Sequence, residues 1–89
     1  MHIDKDWNFE EALSRITIKY HTGNPISGPQ RNRQIESWGQ LVGRTRALNE
    51  FELAIERHGS RTAFGRTYHI ATSTLRSLKK FFENLPDDR

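Results

Sequence analysis

The sequence predicts a small all-α domain with a C-terminal helix-turn-helix. Three observations carry that expectation. Apolar residues recur at intervals of three and four along most of the chain, as one face of a helix requires. The segments between these runs are short and rich in Gly, Pro, Asn and Ser, which break regular structure. And 89 residues leave room for one core only. The competing signal is a short β element near residues 15–20. Only 34% of the residues are hydrophobic, a small share for a chain that must offset its own ordering entropy. Assistance from a partner, most simply a second copy, is therefore expected.

Phe9, Ala12, Leu13 and Ile16 fall at helical spacing in "NFEEALSRI". Asp6 or Asn8 can cap this helix, and Glu10 and Glu11 suit its positive first turn. "RITIKY" alternates polar and apolar residues through Ile16, Ile18 and Tyr20, the pattern of a strand. Helical periodicity is the better match, with the helix running out near Tyr20. "HTGNPISGP" reads as a loop, because its two Gly, two Pro and one Asn cannot sustain a regular element.

A second helix is expected from Gln30 to Ala47, with Ile35, Trp38, Leu41 or Val42, and Thr45 on its inner side. Gly39 and Gly43 within it either permit a close approach or mark a local weakness. Asn49 is the expected N-cap of a third helix, with Glu52 three residues on as in a capping box. Phe51, Ala54, Ile55 and His58 mark its buried face, and Gly59 is placed to end it. In these terms residues 1–29 form an N-terminal segment and loop, residues 30–48 a support or dimerisation helix, and residues 49–84 the helix-turn-helix unit of a single domain.

Ser60 can cap a short helix beginning at Arg61, whose inner side is Ala63, Phe64 and Thr67 or Tyr68. A break at His69 follows, Ile70 turns inward, and Thr72 or Ser73 opens a last helix. That helix buries Leu75, Leu78 and Phe82 and stops near Asn84, ahead of Leu85-Pro86. The spacing has steric meaning. A small residue, Gly65, four before the turn residue His69 allows close crossing. The turn residue needs a left-handed backbone, and Ile70 and Leu75 pin both helices to one core.

The residues "ERHGSRTAFGRTYHIATSTLRSLKKF" resemble the C-terminal DNA-binding helix-turn-helix of the nucleoid protein Fis and of enhancer-binding regulators. In that pattern a Gly-Asn-x-Thr turn leads to a short helix, then Gly-Ile, then a recognition helix with Thr-Leu followed by basic residues. Gly59, Thr62, Ile70, Thr74, Leu75 and Arg76 match it without a gap, over about the last forty residues. Ser60 stands where Asn is usual, His69 where Gly is usual, and Gly65 where Ala is usual. After Arg76 the run "SLKKFF" is one residue short of the pattern.

The resemblance implies that the last helix enters a major groove, with Thr72, Ser73, Thr74 and Arg76 against base edges and Ser77 beside them. Arg76 suits guanine, since its fork can donate to O6 and N7 together. Ser60, Arg61 and Thr62 can hold phosphate at the start of the preceding helix. Arg66, Lys79 and Lys80 add sequence-independent attraction. Arg31 and Arg33 in "PQRNRQ" offer a second contact, or else a solvated helix start. By the same analogy the expected role is transcription regulation or DNA architecture by a homodimer on double-stranded DNA, in the cytoplasm and nucleoid of a bacterium or in a phage.

Charge patterning points the same way independently. The net charge of +3 conceals a run from Arg57 to Phe82 with six Arg or Lys and no Asp or Glu, framed by acidic segments. A polyanion is the natural partner of such a run, although basic helices also serve as plain solvated faces. Other chemistry finds little support. The chain has no cysteine, and His2, His21, His58 and His69 do not fall at metal-ligand spacing. No catalytic residues, no cofactor and no small-molecule substrate are expected, so the protein is read as no enzyme. No apolar run approaches the ~20 residues of a membrane span, and "MHIDKDWNF" has none of the marks of a signal peptide. Trp7, Trp38 and Phe51 are read as core or dimer-interface residues. The rivals are a small adaptor or inhibitor that binds an acidic protein, and a DNA packaging or recombination accessory protein. Large apolar residues left exposed on the last helix would favour the adaptor.

Overall fold

A computed structural model describes residues 3–19 and 28–86, with side chains for residues 3–16 and 29–86. Five helices follow in order: α1 (Phe9–Lys19), α2 (Gly28–Val42), α3 (Arg44–His58), α4 (Arg61–Tyr68) and α5 (Thr72–Glu83). There is no strand among the described residues. The β alternative for residues 15–20 is thereby corrected, since the helix continues to Lys19; Tyr20 lies outside the described residues. Ile16 completes the buried stripe of Phe9, Ala12 and Leu13, so the 3.6-residue period outweighs the two-residue one. A strand there would also have no neighbour to satisfy its backbone. Of the two candidate caps, Asn8 serves α1: its Oδ1 accepts from the Glu11 N–H at 2.7 Å.

The expected loop at residues 21–29 falls on residues outside the description except for its end, where Gly28 and Pro29 already belong to α2. Proline is tolerated there because first-turn N–H groups have no intrahelical acceptor.

The single helix expected from Gln30 to Ala47 is two helices, divided at Gly43. Its backbone, φ 94° and ψ 162°, lies in a region open essentially to glycine alone. The break resets the helical phase. Val42 packs against the core and Leu41 is half exposed, while Thr45, expected inside, is exposed. It also removes the N-cap assigned to Asn49, which sits exposed in mid-α3, a turn and a half beyond the true start. Gly43→Ala is expected to cost about 1–3 kcal/mol through backbone strain, seen as a lower urea midpoint with an unchanged slope.

The core is one aromatic cluster fed by all five helices. Phe9, Leu13 and Ile16 come from α1, Ile35 and Trp38 from α2, Phe51 from α3 and Phe64 from α4. Leu75, Leu78 and Phe82 come from α5, and Ile70 closes the cluster from the connection. The Phe9 ring lies 5.9 Å from Trp38, 5.2 Å from Phe51, 5.7 Å from Phe64 and 6.3 Å from Phe82, so it meets one ring from each other helix. Gly39 faces the Phe82 ring, where a Cβ would collide. The first glycine of the pair thus admits an aromatic side chain, and the second ends a helix. Ahead of α1 the chain is strapped down. The Trp7 carbonyl accepts from Trp38 Nε1 and from Arg46 Nη2, each at 3.1 Å, and Arg46 also donates to the Lys5 carbonyl.

Candidate nucleic-acid interface

Local chemistry shapes the segment from Gly59 onward. Gly59 ends α3 with φ 93°, a turn that favours glycine. Ser60 is then extended, and its Oγ accepts from the Ala63 N–H at 3.1 Å, capping α4 as its sequence position promised. At the far end His69 takes the left-handed conformation, φ 58° and ψ 47°. Histidine enters that region more readily than most non-glycine residues. The Ile70 N–H then reaches back to the Gly65 carbonyl at 2.8 Å, the six-to-one closure of a Schellman turn. This puts Ile70 into the core and directs the chain into α5.

On α5 the helical period separates two faces. Leu75, Leu78 and Phe82 are buried, while Ser73, Arg76, Ser77 and Lys80 are exposed. The spacing of the exposed four, i, i+3, i+4 and i+7, makes one continuous stripe. Thr72 and Thr74 are half-buried at its two margins. On α4, Thr62 and Arg66 are exposed and Arg61 half-buried, with Ser60 exposed at the cap. Neither helix has an acid in its first turn, so neither helix supplies a counter-charge to the positive end of its own dipole. The Ser77 hydroxyl donates to the Ser73 carbonyl at 3.1 Å, which occupies its proton but leaves its oxygen as an acceptor.

Among the described residues, no carboxylate lies within ion-pair distance of Arg61, Arg66, Arg76 or Lys80. Lys79 differs: its Nζ is 3.4 Å from Glu52 Oε1 on α3. Arg57, first of the acid-free run, pairs with Glu10 on α1 at 3.1 Å. The run is acid-free in sequence but not in space, because tertiary packing brings it Glu10 and Glu52. Its outward charge narrows to four cations, all on α4 and α5.

Arg31 and Arg33 lie within the first two turns of α2, at a helix start. Arg33 is exposed. Arg31 is half-buried, its Nε donating to the Asn32 side-chain Oδ1 at 3.4 Å, and burial disfavours its charged form. In the same segment Thr67 near the end of α4, and His69 and Ala71 in the connection, are also exposed and lie outside the expected set. Sequence reasoning cast His69 for its backbone alone. Its exposed ring follows from the αL geometry and has no signal of its own in the spacing.

Comparison with protein-family models, with curated proteins and with solved structures gives no match. Within the described residues, no helix is long and apolar enough to cross a membrane, and no group of His, Asp and Glu could hold a metal ion.

Proposed function

We propose that the protein binds double-stranded DNA through the α4–α5 face, with α5 in the major groove. The observation that carries the reading is the α5 stripe of Ser73, Arg76, Ser77 and Lys80, two cations without carboxylate partners among the described residues, interspersed with short hydroxyl side chains. Short side chains let the helix approach base edges closely, and Arg76 is the group able to make a bidentate contact with guanine. Ser60, Arg61 and Thr62 offer the start of α4 to a phosphate, and Arg66 and Lys80 supply sequence-independent attraction. Thr72 and Thr74 are placed to touch the groove walls at the stripe's margins. Lys79, held by Glu52, contributes less than Lys80.

Two copies with their α5 helices on successive major-groove faces, ~34–36 Å apart, would give the dimeric form of the reading. Transcription regulation is the role proposed for it, on the Fis-type resemblance alone. Ile35 and Trp38 are buried within the chain, so such pairing would use exposed surfaces. The adaptor reading draws no support from α5. Leu41 on α2 and Leu53 on α3 are the large apolar residues that stand exposed among those described, and none does so on α5.

A DNA titration at several salt concentrations tests the proposal. Three phosphate contacts, from Arg61, Arg66 and Lys80, predict a slope of log affinity against log salt of about −2.7, roughly a fortyfold loss over a fourfold rise in salt. Arg76→Ala is expected to cost ~1–3 kcal/mol and to relax sequence preference. Lys80→Ala should weaken all sequences alike and reduce the slope by about one. Lys79→Ala should do less than Lys80→Ala. Absence of measurable binding at low salt would end this reading.

A further inference from the structure

The DNA reading assigns no role to Glu10, a carboxylate that gathers donors from two other helices. Glu10, in the first turn of α1, presents Oε1 to Arg57 Nε at 3.1 Å. Its Oε2 accepts from the Tyr68 hydroxyl at 2.8 Å and lies 3.0 Å from His58 Nε2. Arg57 and His58 are the last two residues of α3, and Tyr68 is the last of α4. Gly59 and Ser60, where the chain turns from α3 into α4, lie between these partners in sequence. One carboxylate thus bridges both arms of that corner. The His58 ring stands edge-on to Phe64 at 5.1 Å and to Tyr68 at 5.7 Å, and Phe64 lies 4.7 Å from Tyr68, so the polar tie continues into the aromatic core.

We propose that Glu10 is a positioning residue: it braces the α3–α4 corner and so sets where α4, and the face α4 shares with α5, stands on the rest of the protein. The first part depends on geometry alone. The second, the link to binding, rests on the DNA reading. Helix α1 is then a working part of the interface although it offers no contact residue to it.

The groups that face the carboxylate are Arg57 and His58 from α3 and Tyr68 from α4, and the Ser14 hydroxyl on α1 supports Tyr68. Burial pushes the Glu10 carboxyl up, but the hydrogen bonds from His58 and Tyr68 and the charges of Arg57 and His58 outweigh it and hold it below the ordinary glutamate value. Burial, then the Glu10 hydrogen bond and charge, push the Tyr68 hydroxyl up. The signs follow. A lowered carboxyl contributes stability that is present above its unfolded value, about 4.3, and is lost as pH falls through the folded one. A raised phenol contributes stability that is present below about 10 and is lost as pH rises through its folded value. The brace therefore has an acid limb owed to Glu10 and an alkaline limb owed to Tyr68.

Hydrogen exchange on the full chain, with melting curves across pH, tests the brace in Glu10→Gln and Tyr68→Phe. Glu10→Gln should speed exchange at α4 amides about tenfold, the loss of a charge-assisted hydrogen bond. It should do so without an equal change around Ile35 and Trp38, and it should shrink the acid limb. Tyr68→Phe, the milder variant, should remove the alkaline limb and, by taking away one of the hydrogen bonds that hold Glu10 low, reduce the acid limb without abolishing it. Unchanged α4 exchange in both variants, or an acid limb of full size in Glu10→Gln, overturns the brace. DNA affinity measured on the same proteins tests the link. A brace that loosens in Glu10→Gln with no loss of affinity overturns the coupling. A wild-type chain that binds no DNA refutes the functional reading instead, and the exchange experiment still decides the brace.

Discussion

Phe9→Ala is expected to lower stability by about 3–5 kcal/mol, the range for truncating a fully buried phenylalanine. Phe9 is completely buried and meets Trp38, Phe51, Phe64 and Phe82, one ring from each other helix. Each of those rings is held in turn by a different backbone element. The site therefore cannot collapse around the lost ring without moving several helices, which places the cost toward the upper part of the range. The corresponding fall in Tm is roughly 12–40 °C for a domain of this size. Against a total stability of ~5–15 kcal/mol, such a loss leaves the variant a thin margin on warming, so urea titration in the cold is the suitable measurement. Leu53→Ala serves as the control. Leu53 is half exposed on α3, and its truncation should stay within about 0.5 kcal/mol. A Phe9→Ala loss below 1 kcal/mol would mean that the five helices do not share one core through this ring.

Gly65→Ala should destabilise, against the ordinary preference for alanine within a helix. Helix propensity alone favours the substitution by about 0.5–1 kcal/mol. Here the added Cβ would run into the backbone carbonyl oxygen of Ile70. A carbonyl pinned by the turn cannot swing aside as the end of a flexible side chain can. Forced overpacking typically costs ~1–3 kcal/mol, so the steric term outweighs the propensity term and the net sign is loss. The Ile70 N–H bond to the Gly65 carbonyl would be strained by the same shift, with consequences for where α5 starts. Thermal unfolding decides the sign, and a variant more stable than the wild type would contradict the placement of the α4–α5 connection. The Fis-type pattern has Ala at this position. The departure has a physical reason in this chain, where the Ile70 carbonyl occupies the space.

Much of the fold was legible in the sequence because it was local. The stripe of Phe9, Ala12, Leu13 and Ile16, the Ser60 cap, the Gly59 stop, the His69 turn and the Leu75, Leu78, Phe82 face each depend on residues within a turn or two. What failed to read was also local in appearance but not in cause. Gly43 and Gly39 look alike in the sequence. One breaks a helix and the other lies under the Phe82 ring, contributed from some forty residues away. Asn49 and Glu52 match a capping box, yet the helix had already begun at Arg44, and Glu52 instead meets Lys79.

The candidate face divides in the same manner. By itself the sequence determined which side chains of α5 point away from the core, because a 3.6-residue period with three buried anchors leaves no other orientation. It also determined the turn that joins α4 to α5, through the left-handed preference at His69 and the small residue at position 65. Only the tertiary structure decided which charges remain free. Coulombic pairing depends on distance in space and not on separation along the chain, and Glu10 and Glu52 reach Arg57 and Lys79 from positions outside the acid-free run. The same packing made α1 the brace of the α3–α4 corner, a role that no spacing within "NFEEALSRI" could announce.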